Sequence, residues 1–185
     1  MDKYELFLTK LDKLGLCVSE LNEKYGDAIK TATFSFSSDN GLAYEGALVD
    51  VLLYKLTPYA IKINELLPEN VRVDKNTLVK VCLLHQISKS LRYVKNDNEW
   101  EVKNRSMAYT FTKNLPAIKT GLHSLIMAQN CGIEFTPEEA EAMVIIDREP
   151  NDEQARWHSS VLSTIIKQAN ELVYIEANTI ASLNK

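Results

Sequence analysis

Residues 74 to 93, DKNTLVKVCLLHQISKSLRY, constrain the fold more than any other stretch, because a polar pair is set into an almost continuous apolar run. Val79, Val81, Cys82, Leu83, Leu84 and Ile87 cover most of the circumference of a helix, which predicts a segment buried on nearly all sides with Asp74 as its N-cap. A helix of that kind belongs in the middle of a domain. His85 and Gln86 are carried into that middle, where an unsatisfied polar group costs about 1–3 kcal/mol. The groups that meet this pair are therefore the centre of the functional question.

The remaining periodicities predict an all-α chain with one small insertion. Tyr4, Phe7, Leu8, Leu11, Leu14, Val18, Leu21 and Tyr25 predict one amphipathic helix over residues 2–25, ended by Gly26, that either covers the core or pairs with a partner. Phe34 and Phe36 alternate with small polar residues and are read as packing residues of a short extended segment or loop. A second helix is expected over 44–67 on Leu48, Leu52, Leu56, Tyr59, Ala60, Ile63 and Leu66, kinked or divided by Pro58 and stopped by Pro68. After the central helix, Tyr93 and Val94 face Trp100 and Val102 across Asn-Asp-Asn, the pattern of a small β-hairpin inserted between helices. Leu115, Ile118, Leu122, Leu125, Ile126 and Gln129 then mark a helix ending near Gly132. Thr136, Pro137, Glu138 and Glu139 form a capping box that starts a short helix with Met143, Val144 and Ile146 inside. The last helix is expected over 152–181, with Ala155, Val161, Leu162, Ile165, Ala169, Leu172 and Val173 on its buried stripe.

Composition narrows the class further. No Pro-, Gly- or Ser-rich stretch divides the 185 residues, so a single domain 1–185 is expected, with an N-terminal helix and loop (1–43), a helical core (44–173) and a C-terminal helix end (174–185). Only 6 Gly and 5 Pro argue against a sandwich or barrel of many short strands. Cys17, Cys82 and Cys131 are irregularly spaced and odd in number, which fits small core residues in a reducing compartment rather than a disulfide framework. The amphipathic start and the lack of any apolar run near ~20 residues predict a cytoplasmic protein with no membrane partner.

A net charge of -4 argues against general nucleic-acid binding, and Trp100 and Trp157 are too scattered for a base-stacking platform. The charge is nonetheless uneven. Residues 134–153 hold eight acidic side chains against Arg148 alone, whereas residues 72–119 hold ten basic against four acidic. Such polarity either binds an anion or separates two solvated faces.

Four segments, YEGALVDVLLY, CLLHQISKS, RYVKNDNEWEV with LPAIKTGLHSLIM, and AMVIIDRE with QANELV, resemble in order and setting the motifs of the HD-domain superfamily of metal-dependent phosphohydrolases, over about Tyr44 to Leu172. The resemblance implies an HD-like helical bundle in which a His, an adjacent His-Asp pair and a late Asp hold a divalent metal that activates water against a phosphate ester. Position by position, the chain departs from that pattern. Val51 stands for the first His, Gln86 for the paired Asp, Thr120 and Leu122 for a His-Gly-Glu element, Ile146 for a later His and Asn170 for the last Asp. His85 and Lys89 alone keep the family residue.

One imidazole beside an amide is a poor divalent site, and Val51 and Ile146 donate nothing. The resemblance thus implies no metal, no other cofactor and no catalytic residue, with Gln86 and Asn170 free to hydrogen-bond to each other or to His85 as a neutral network. Lys89 and Arg92 either are solvated or present positive charge to a small anionic ligand at the mouth of the cleft. His123 and His158 are assigned to packing or surface. The expected function is a non-enzymatic binding or regulatory module whose partner is a small anion or a protein, with the N-terminal helix as a route to an oligomer. The alternative is a phosphohydrolase of a nucleotide or other phosphate ester, working through a rearranged site of His85 with Asp50 or Asp147.

Overall fold

The structure is a computed structural model that describes residues 1–113, 115–148 and 159–183. It is mostly helical with one small antiparallel sheet, as the periodicities predict. No described helix is long and apolar enough to cross a membrane.

The N-terminal stretch is two helices rather than one, α1 (Lys3–Lys13) and α2 (Ser19–Thr31). The break falls at Gly15, whose φ of 77° lies in the left-handed region that ends helices. Gly26, expected to end a helix, lies inside α2 for a packing reason: a Cβ there would sit 3.0 Å from the Tyr4 hydroxyl, which donates to Asn22 Oδ1 at 2.9 Å. Tyr4, Phe7 and Leu11 of α1 and Leu21 and Ile29 of α2 are buried, so the apolar stripe of this region lies against the core. Phe34 is buried as well, but Phe36 is exposed and stands against Tyr93 and Phe111.

The second helix is interrupted in the way its proline requires. α3 (Ala47–Val51) passes into a π-helical turn (Leu52–Leu56) and then into α4 (Thr57–Leu66), with Pro58 in the first turn of α4. The wider turn makes room for a residue that cannot donate to the ladder, and the Thr57 hydroxyl meets the Leu52 carbonyl at 2.6 Å. Leu66 is exposed rather than inward. α5 (Lys75–Leu84) is capped by Asp74, which accepts from Thr77 N at 2.9 Å. Leu78 and every residue from Val81 to Lys89 are buried, and Val79 is half-buried.

The hairpin has a different partner from the one expected. After α6 (Lys89–Arg92), β1 (Tyr93–Lys95) pairs with β2 (Tyr109–Phe111) in the register Tyr93 to Phe111 and Lys95 to Tyr109. Trp100 and Val102 lie instead in a helix, α7 (Glu99–Arg105), because Asn98 caps it by accepting from Trp100 N and Glu101 N.

α8 (Thr120–Gln129) starts later than its apolar positions suggested, and Leu122 is exposed. α9 (Pro137–Val144) starts at the expected Thr136–Glu139 capping box. α10 (Val161–Leu183) is the last helix, and its expected first turns at 152–158, with Ala155, Trp157 and His158, lie outside the described residues. Val161 and Leu172, assigned to the buried stripe, are exposed, whereas Leu162, Ile165, Ala169 and Val173 are buried. The core forms where α4, α5, α9 and α10 meet. Cys82 and Cys131 are buried in it, but Cys17 is exposed beside Ser19.

Candidate functional site

α5 ends inside the core, and this termination positions the polar pair. His85 is the C-cap of α5, with its N–H still bonded to the Val81 carbonyl, and the turn His85–Ser88 follows before α6. The side chains of His85 and Gln86 are almost fully buried. Gln86 Nε2 lies 3.0 Å from His85 Nε2 and donates at 2.7 Å to Oδ1 of Asn170, which α10 brings in from 84 residues away. Since the amide nitrogen is a donor, His85 Nε2 accepts and the imidazole proton resides on Nδ1. Nδ1 faces the Cys82 carbonyl without completing a well-directed hydrogen bond.

This geometry gives a neutral network. Burial holds the His85 pKa down at about 3, the nearby Cys82 carbonyl offsets part of that shift, and the charge of Lys89 lowers it further. The imidazole is therefore uncharged throughout the physiological range. A metal does not fit here: the Nε2 lone pair already accepts from an amide, and Asn170 Oδ1 accepts the second amide proton of the same group. Among the described residues, no three His, Cys, Asp or Glu side chains converge on one point.

The other positions drawn from the resemblance scatter around this centre. Val51 is buried, Ile146 is half-buried in the turn Ile145–Asp147, and Leu122 faces solvent. Thr120 contributes its carbonyl rather than its side chain, as an acceptor for the hydroxyls of Ser88 at 2.8 Å and Ser124 at 2.9 Å. Ser124 Oγ also accepts from Ser88 N at 3.1 Å. Neither serine stood out in the sequence. A small hydroxyl residue three positions beyond His85 in an apolar run was the available signal for Ser88.

Of the two carboxylates of the rearranged site, Asp50 is engaged through Oδ2 alone, which pairs with Lys3 Nζ at 2.7 Å and accepts from Tyr44 at 3.0 Å, while its Oδ1 is buried without a partner among the described residues. Asp147 caps α8 by accepting from Gly121 N at 2.9 Å and Leu122 N at 2.8 Å.

Lys89 turns inward rather than toward solvent. Its Nζ donates to the Phe34 carbonyl and the Tyr174 hydroxyl, each at 3.0 Å, and lies 3.4 Å from the centre of the Phe34 ring. Burial, with the positive charge of Arg92 nearby, drives its pKa well below the ordinary lysine value. The aromatic face and two oxygen acceptors recover part of the cost of desolvating the amine. Arg92 is half-buried, donates to the Ile118 carbonyl and keeps a buried Nε without a partner among the described residues. The sequence marked neither Phe34 nor Tyr174 as a partner of Lys89.

His123, half-buried and with its pKa lowered by that burial, stands on α8 outside this centre. No family model, no curated protein and no solved structure matches the chain.

Proposed function

We propose that this chain is a non-catalytic binding or regulatory module on an HD-like helical bundle, in which a hydrogen-bonded amide–imidazole network stands where the family holds its metal. The observation that carries this is the Gln86 amide, which spans His85 Nε2 and Asn170 Oδ1 and consumes the donor atoms a metal would need. The engagement of both Asp147 oxygens with the start of α8 supports the same reading against a rearranged phosphohydrolase site. Because Lys89 is bound by Phe34 and Tyr174, it is closed to a small anion, and a protein partner fits better.

The test is metal content and turnover. Protein purified without chelator or metal-affinity resin is incubated with Mn, Fe, Ni or Zn, desalted and measured by elemental mass spectrometry, alongside hydrolysis of nucleotide and aryl phosphate esters. The expected result is below about a tenth of an equivalent of each metal, with no turnover. About one equivalent, or hydrolysis abolished by His85→Ala, overturns the proposal in favour of the phosphohydrolase.

A further inference from the structure

The start of α1, the end of α2 and the approach to α3 enclose a cavity that the central network does not use. It measures about 390 Å³, within the range of small-molecule sites, and Lys3, Lys30, Glu45, Val49 and Asp50 are on its walls. A second cavity of about 590 Å³ adjoins it along α1 and α2, and Asp2, Tyr4 and Lys30 line both. The polar capacity left open on these walls is of one kind. Every lysine there is taken, Lys3 by Asp50 at 2.7 Å, Lys30 by Asp2 at 2.9 Å and Lys24 by Glu20 at 2.7 Å. Six carboxylates line the two cavities against those three lysines, so acceptors remain. Glu45, Glu23 and Asp27 are exposed and enter no ion pair among the described residues. Asp50 Oδ1 is buried with no donor on it, an arrangement that costs free energy until one is supplied.

We propose that the two joined cavities bind a linear aliphatic polyamine, with one ammonium taken by Glu45 and Asp50 and another by Glu23 and Asp27. This goes beyond the module proposed above and rests on neither its HD-like bundle nor its metal-free centre. The lining selects the class of ligand by elimination. An anion finds no open cation, because each lysine already meets a carboxylate. A divalent metal needs several ligands converging on one point, and no three His, Cys, Asp or Glu side chains do so among the described residues. Carboxylates dispersed over two adjoining cavities suit separate ammonium groups, each a compact charge with several N–H donors, joined by methylenes that run over Val49, Tyr4 and Leu8. At Asp50 the incoming ammonium supplies the donor that Oδ1 lacks. Lys3, whose side chain is 60% exposed while that of Asp50 is 15% exposed, is the group that yields to it.

The experiment is isothermal titration calorimetry of spermidine into the full chain at about 0.1 M salt, where loose attraction between exposed charges is screened. It covers the natural sequence, Glu45→Gln, Asp27→Asn, and Glu171→Gln, which removes the same charge from the exposed side of α10. Glu45, Asp27 and Glu171 are all exposed and unpaired, so the variants keep the fold, verified by far-UV circular dichroism and thermal midpoints. The natural chain is expected to bind spermidine with a dissociation constant on the order of 10–100 μM, and magnesium at equal charge concentration is expected not to displace it. Glu45→Gln and Asp27→Asn are each expected to weaken binding on the order of tenfold, and Glu171→Gln by less than about twofold. No binding up to about 5 mM, displacement by magnesium, or a loss in Glu171→Gln equal to that in Glu45→Gln overturns the proposal, the last two by reducing it to general attraction of cations to an acidic chain.

Discussion

Lys89 is the residue at which local chemistry and tertiary placement conflict most. A lysine is ordinarily solvated, yet this one is buried between Phe34 and Tyr174. Its folded pKa lies below its ordinary 10.5, so between those two values the unfolded chain binds the extra proton and stability rises with pH. Replacing it with an apolar side chain of similar length removes that penalty. Lys89→Met is expected to stabilise the protein by about 1 kcal/mol or more at pH 7 and to flatten the pH dependence above neutrality, measured by urea denaturation at pH 7 and pH 9. Loss of stability, with the slope unchanged, would mean that the bonds to Phe34 and Tyr174 outweigh the desolvation. The sequence disclosed that Lys89 follows His85 by one helical turn. It did not disclose the inward direction, because α5 ends at His85 and the turn before α6 reorients everything after it.

Among the elements, α9 shows how a local signal and a distant contact share one side chain. Glu139 closes the capping box by accepting from Thr136 N at 2.8 Å, as its position three residues after Thr136 predicts. The same carboxylate pairs with Lys80 of α5 at 2.9 Å in a nearly buried contact, and Lys80 also donates to the Glu134 carbonyl. Glu139→Ala is therefore expected to cost about 3 kcal/mol, well above the ~1 kcal/mol of a cap alone, since it strands the Lys80 ammonium as well. A Lys80→Met/Glu139→Ala double variant should recover part of this loss in thermal denaturation. α8 and α9 are packed closely at Gly121, where a Cβ would collide with the Met143 carbonyl and come within 2.9 Å of Val144 Cα. Gly121→Ala is expected to destabilise the fold by about 2 kcal/mol, read as a lower thermal midpoint, because two backbones rather than a flexible side chain must separate.

At the scale of the whole molecule, acid is the expected weakness. His85 titrates at about 3 when folded and near 6.5 when unfolded, so the unfolded chain takes up a proton first as pH falls. That stability is complete above 6.5 and is lost toward 3, by about 3 kcal/mol at pH 4 at most. Glu176 adds to the same trend, because its bonds to Tyr59 and Lys55 hold its pKa down and are lost as it protonates. Urea midpoints should fall from pH 7 to pH 4, and His85→Asn should make that fall shallower. A slope unchanged in His85→Asn would mean that His85 is not the group responsible.

The sequence by itself determined what depends on neighbours along the chain. The mostly helical class and the Asp74 and Thr136 caps are set by contacts within one or two turns, and the burial of residues 81–87 was legible because their near-continuous apolar run leaves no face for solvent. Tertiary structure decided what depends on residues far apart in number. Strand Tyr93–Lys95 found Tyr109–Phe111 because Asn98 capped a helix between them, Gln86 met Asn170 across the bundle, and α10 turned Leu172 and Ile175 outward. Helical periodicity states that a side chain lies on a face. Only the packing of the other helices states whether that face is inside.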